Sequence, residues 1–108
     1  MSYNVELTQS FKKEIKQLLK KFPSLAVEIS ELIDTLENDP FQGVGIGNNC
    51  YKIRLAISSK GKGKSGGGRV ITHIHIVRNT IYLLSIYDKS EQDSIDKNEL
   101  NRLIGLIQ

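Results

Sequence analysis

The chain has 108 residues, with 39% hydrophobic and 25% charged residues and a formal net charge of +3. This is the size and balance of one soluble globular domain, residues 1–108. No run nears the roughly 18 apolar residues of a membrane span, and the start, Met1-Ser2-Tyr3-Asn4, lacks a basic-then-apolar leader, so a cytoplasmic location is expected. Cys50 is the only cysteine, which excludes an internal disulfide, and its expected role is a small core residue on a strand.

Tyr3-Asn4-Val5-Glu6-Leu7 alternates as a short strand. Thr8 or Ser10 can cap the next element. Phe11, Ile15, Leu18, Leu19 and Phe22 recur at helical spacing, with Lys12, Lys13, Lys16 and Lys20 on the outer face. Phe22-Pro23-Ser24 breaks this helix, and Ser24 is placed to cap a second one. Leu25, Val27, Ile29, Leu32, Ile33 and Leu36 mark that second helix, which ends before Asp39-Pro40. The short connection makes an antiparallel helical hairpin.

Residues 41–49 are rich in Gly and Asn and read as a loop. The period then changes to two. Tyr51, Ile53, Leu55 and Ile57 alternate with Lys52, Arg54 and Ala56, giving one apolar and one basic face. A loop of glycine and lysine, 60–68, leads into a strand over 70–77 with Arg69 at its start. Arg78-Asn79-Thr80 forms a turn. Residues 81–87 are apolar enough for a strand covered on both faces. A polar stretch, 90–96, precedes a short helix carrying Leu100, Leu103, Ile104 and Ile107, with Gly105 weakening its end. The order is β-α-α-β-β-β-α, an α+β arrangement in which an antiparallel meander packs on a helical hairpin.

Charge is segregated along this order. From Pro40 to Tyr87 there is no Asp or Glu, while Lys52, Arg54, Lys60, Lys62, Lys64, Arg69 and Arg78 give +7. The flanking segments each sum to −2. A positive block between acidic ends is the footprint of a polyanion binder, most often one that takes nucleic acid. Gly61-x-Gly63-x-x-Gly66 matches a dinucleotide fingerprint only by letters, because a strand comes next where the mechanism needs a helix N-terminus. Gly63-Lys64-Ser65 is likewise no phosphate loop, since Ser58 stands where the first glycine belongs. The bland reading of the segment is a solvated hairpin loop. Against it, Lys52 and Arg54 share a strand face, and Arg69 starts the neighbouring strand. Like charges gathered there are costly unless an anion visits. His73 and His75 also share a face, but two histidines do not make a metal site and no nearby Cys or Asp is expected to complete one.

Three segments together resemble a known family: Cys50-Tyr51-Lys52-Ile53-Arg54-Leu55, the run Gly63 to Ile71, and Ile81 to Lys89. They are similar to the RelE/ParE superfamily of type II toxin–antitoxin toxins, and the glycine-lysine loop is most similar to its HigB-like branch. The resemblance implies the RelE-like fold and a ribosome-dependent mRNA endoribonuclease that inhibits translation. In that chemistry the message's own 2′-hydroxyl attacks the adjacent phosphate without metal or cofactor. The implied partners are a cognate antitoxin, the ribosome and its mRNA, with operator DNA reached only through the antitoxin and no membrane. Carried over by position, the implied catalytic residues are Lys52, Arg54, Arg69, Tyr87 and Lys89. Arg69 would clamp phosphate, and Tyr87 would stand in for a base-stacking tyrosine absent from 90–99. Lys60, Lys62, Lys64 and Arg78 would bind RNA. The rival implications are a ParE-like inhibitor of DNA gyrase and a non-catalytic module that docks RNA or antitoxin.

Overall fold

A computed structural model describes residues 2–61 and 63–107. Strand β1 (Asn4–Leu7) leads into helices α1 (Gln9–Lys21) and α2 (Leu25–Leu36). Strands β2 (Val44–Gly47) and β3 (Cys50–Leu55) come next, then a 3-10 turn at Ser58–Lys60. Strands β4 (Gly68–His75) and β5 (Thr80–Asp88) and helix α3 (Lys97–Gly105) complete the order. The five strands form one sheet in the order β1-β5-β4-β3-β2. Strands β3 to β5 are the expected antiparallel meander, β2 extends it at one edge, and β1 lies parallel to β5 at the far edge. No helix among the described residues is long and apolar enough to cross a membrane.

The local causes are readable. Thr8 caps α1: its Oγ1 accepts from the Phe11 amide at 3.2 Å and donates to the Leu83 carbonyl at 2.9 Å. One side chain thus starts the helix and fastens it to β5. Pro23 then ends α1, since the residue before a proline is pushed to extended backbone and Phe22 has φ −128° and ψ 83°. Ser24 does not cap α2 as expected, because it is itself in helical conformation. Its Oγ instead donates to Glu28 and accepts from the Ser59 amide at 2.9 Å, tying α2 to the 3-10 turn. Helix α3 starts earlier than its apolar stripe. Asp96 accepts from the Glu99 amide at 3.0 Å, an N-cap that the search for apolar periodicity passes over.

One expected loop contains a strand. Val44-Gly45-Ile46-Gly47 pairs with β3 across a two-residue turn, Asn48-Asn49. Both turn residues have positive φ, 55° and 59°. That is the hand of turn whose twist matches a hairpin, and Asn tolerates it better than most residues. Interleaved glycines hid the alternation. At Gly43 the chain needs one: a Cβ there would lie 2.3 Å from the Lys52 carbonyl oxygen.

The sheet separates two apolar clusters. On one face Phe11, Leu25, Ile29 and Leu36 of the hairpin meet Ile53, Val70, Ile74, Ile81, Leu83 and Ile86. On the other, Leu100 and Leu103 of α3 meet Cys50, Ile71, Tyr82, Leu84 and Tyr87. Every residue of β5 is buried, as its apolar run predicts. A bulge at Leu84, where Ile71 faces Ser85 and Thr72 faces Leu83, shifts the register midway along β5. Past β1, the edge of β5 is taken up by α1, where the Glu14 carboxylate accepts from the Ile86 amide at 3.3 Å. Burial raises the Glu14 pKa, outweighing the hydrogen bonds from Ser85 and Ile86 that lower it. The turn gives a direct test: Asn49→Ala should cost about 1 kcal/mol in urea unfolding and Asn49→Gly should cost nothing, because only the former resists positive φ.

Candidate nucleic-acid interface

The register sets two arginines and a tyrosine in a row. Arg54 on β3 faces Arg69 on β4, and Arg69 faces Tyr87 on β5. Lys52 lies two residues along β3 from Arg54, opposite Ile71, and so on the same face. This is the face that α3 half covers. Helix α3 packs over Cys50, Ile71 and Tyr82, and the cations extend from its margin toward the glycine loop. Lys52 is at that margin, lining a small cavity with Ile46, Ser94, Ile95, Lys97 and Leu100. Arg54 is exposed.

Arg69 differs from the expected clamp. It is 4% exposed. Its guanidinium donates to the carbonyls of Lys64 at 2.9 Å, Ser65 at 3.3 Å and Gly68 at 2.9 Å. These bonds fold the loop over the side chain, so the guanidinium is turned inward and shapes the loop instead of standing open to solvent. Lys60 is a second departure. Expected as a mobile RNA contact, it is held by the Gly66 carbonyl at 2.6 Å, the Ser90 hydroxyl at 3.2 Å and the Asp88 carboxylate. Both side chains of the Lys60–Asp88 pair are at least nine-tenths buried. Burial alone would raise the Asp88 carboxyl, but the Lys60 ammonium and the Ser90 amide and hydroxyl outweigh it and hold the pKa below the ordinary value.

Lys64 is exposed on the loop, as expected. Lys62 lies outside the described residues. Arg78 is not brought to this cluster. It sits in the β4–β5 turn, about 20 Å along β4 from Arg69 at ~3.3 Å per residue, with its guanidinium donating to the Tyr82 hydroxyl at 3.3 Å. Lys89, just past β5, pairs with Asp93.

Tyr87 brings the proton chemistry. It is buried, and its hydroxyl has no hydrogen-bond partner among the described residues. Burial raises its pKa; the charge of Arg69 opposes this and that of Asp93 adds to it. The group is therefore a phenol at neutral pH, a proton donor beside a cation. The histidines give less. His73 is opposite Cys50, with Nδ1 3.4 Å from Sγ, so a cysteine does adjoin the histidine pair, contrary to expectation. Burial drives the thiol up to about 11 and the imidazole down. Both are neutral near pH 7, which does not favour a thiolate nucleophile. A larger cavity, lined by Leu7, Tyr82, Leu103 and Leu106 between the start of α1 and the end of α3, lies away from the loop and its cations.

The fold is that of solved RelE toxins. A double arginine mutant of Escherichia coli toxin RelE in the free state superposes with TM-score 0.63 over 100% of both chains, at 14% identity. The toxin–antitoxin complex RelBE2 of Mycobacterium tuberculosis matches at 0.62, 16% identity, over 82% of this chain and 99% of that one. Isolated E. coli RelE matches at 0.50 and 16%, over 99% and 100%. No protein-family model matches the sequence. The resemblance read from Lys52, Arg54, Arg69 and the strand ending at Tyr87 and the fold likeness thus agree on one architecture.

Removing one partner of a buried ion pair costs about 3–5 kcal/mol, so Lys60→Ala should lower unfolding stability by that order in urea titration. Because the Asp88 pKa is depressed in the folded chain, its contribution is complete above the ordinary carboxylate value of about 3.9 and is lost as pH falls through the folded value. The wild-type urea midpoint should fall across that acid window by more than that of Asp88→Asn.

Proposed function

We propose that the chain is the toxin of a type II toxin–antitoxin pair, of the HigB-like branch, and cuts ribosome-bound mRNA. The cross-strand row Arg54–Arg69–Tyr87 carries this reading. It sets an exposed cation, a buried cation and a protonated phenol side by side on the RelE fold. Internal cleavage of RNA by its own 2′-hydroxyl needs those functions and no redox chemistry. The 2′-oxygen attacks phosphorus, the P–O5′ bond breaks, and the products are a 2′,3′-cyclic phosphate and a 5′-hydroxyl.

Lys52 and Arg54 are the side chains free to meet the scissile phosphate, and they stabilise the charge that builds on its oxygens in the transition state. Arg54 can do so through two parallel N–H donors, which a lysine lacks. Arg69 strengthens the field and fixes the loop. Tyr87 holds the proton that the departing 5′-oxygen needs, and because its hydroxyl is buried the segment covering it must shift for the transfer. Lys64, with Lys62 beside it in sequence, grips flanking RNA. Lys89 completes the cationic rim. The 2′-hydroxyl's proton passes to the ribosomal solvent or to a group of the ribosome, since among the described residues the face holds no unpaired carboxylate close to Lys52 and Arg54. The partner that restrains the toxin is a small antitoxin, and the complex reaches operator DNA through that antitoxin.

Programmed ribosomes incubated with the purified chain should yield message cut within translated frames, mapped by primer extension. Arg54→Ala and Lys52→Ala should each lower the single-turnover cleavage rate by about 10²–10³ while leaving the unfolding free energy from urea titration within about 0.5 kcal/mol of wild type. Uncut message together with gyrase trapped on DNA would replace this reading with the gyrase-inhibitor one.

A further inference from the structure

The cation face is not without an internal counter-charge. Two acids shortly after the acid-free stretch, Asp88 and Asp93, bear on it, and they differ in kind. Asp88 is buried and committed to Lys60. Asp93 has a side chain 90% exposed, yet it turns back to pair with Lys89, itself 30% exposed. The residues next to it, Ser94 and Ile95, line the same small cavity as Lys52. Residues 89–96 therefore cross the margin of the cation face, with Asp93 turned toward it.

We propose that Asp93 is the resident anion of the cation face, held where a phosphate group would bind, and that an anionic ligand must displace it to bind. This rests on the nucleic-acid reading above. The physics is competition. An exposed ion pair is worth little, at most about fivefold in an equilibrium, so Asp93 is displaced at small cost by a ligand that touches Lys52, Arg54 and the loop together. The charge environment agrees: the Lys89 hydrogen bond and charge dominate in lowering the Asp93 pKa, and Lys52 and Arg69 lower it further. A carboxylate that felt only Lys89 would be an ordinary surface pair; this one is in the field of three cations of the site. Asp93 is thus a resident counter-charge that must leave for the ligand to bind.

The test compares the full chain, Asp93→Asn and Asp34→Asn, which removes the same charge from the exposed side of α2. Two probes are titrated: a short single-stranded RNA made wholly of 2′-O-methyl nucleotides, which cannot cleave itself, and inorganic pyrophosphate. Asp93→Asn should bind pyrophosphate and RNA about fivefold more tightly. Its RNA affinity should fall more steeply with salt, by about 0.7 in the log–log slope, because Lys89 becomes one more unpaired phosphate contact. Asp34→Asn should change neither. Equal affinity of Asp93→Asn and wild type, an equal gain in Asp34→Asn, or no binding of either probe overturns the proposal. A gain for pyrophosphate with no RNA binding by any form keeps the Asp93 role and sinks the RNA reading; RNA bound equally by all three forms sinks the Asp93 role alone.

Discussion

The buried contact between Lys60 and Asp88 is the constraint on which the rest of the interface depends. A segment of five glycines among lysines would otherwise sample many backbone states, at roughly 1–2 kcal/mol of entropy per residue to fix. Here its two ends are held. Lys60, at the entry, reaches the carbonyl of Gly66 at the exit and the carboxylate that ends β5. Arg69 then draws in the carbonyls of Lys64 and Ser65. Backbone carbonyls and one carboxylate thus neutralise two cations inside the protein, where an unpaired charge would be far more costly. The close approach needs glycine: a Cβ on Gly67 would lie 2.1 Å from the Leu55 carbonyl oxygen.

That arrangement changes what the charge block means. A net +7 segment invites the picture of seven cations facing one ligand. The fold instead gives them separate tasks. Lys60 and Arg69 build the loop, Arg78 sits at the far turn, Arg54 and Lys64 are exposed, and Lys52 lines the cavity beside α3. The density of unpaired charge is lower than the sequence implies, but it is better placed. A pre-shaped loop and a flat strand present their donors without first having to order themselves, which is where recognition of a phosphate backbone gains most.

Much of this was legible in the chain. Helical periodicity at Phe11–Phe22 and Leu25–Leu36, strand alternation around Lys52 and Arg54, and the all-apolar run of β5 each report a burial pattern, and burial is set directly by residue type. The two-residue period alone set Lys52 and Arg54 on one face, while the place of Arg69 beside them depends on the pairing of β3 with β4. What escaped depends on contacts between distant segments. Val44–Gly47 reads as loop because glycine has no side chain to alternate, and only pairing with β3 reveals the strand. The task of Lys60 depends on Asp88, 28 residues away. Nothing local distinguishes Lys60, buried in its ion pair, from Lys64, exposed on the loop. The nearness of Cys50 to His73 likewise exists only in the register of β3 and β4.

The sheet's two faces account for where chemistry is possible. The face under α1 and α2 is apolar along its length and holds the fold together. The face under α3 is divided. Leu100 and Leu103 keep one part dry, and the other part carries cations to solvent. Tyr87 stands at the division, packed into the dry part yet one strand from Arg69. Its hydroxyl gains a raised pKa from the dry side and an electropositive neighbour from the wet side. Had α3 been longer and covered the row, the cations would have been buried without partners. Had it been absent, Tyr87 would be solvated and its proton no different from that of any surface phenol. The length of α3, which the Asp96 cap starts, is therefore part of the candidate site, and its own Lys97 lines the cavity beside Lys52.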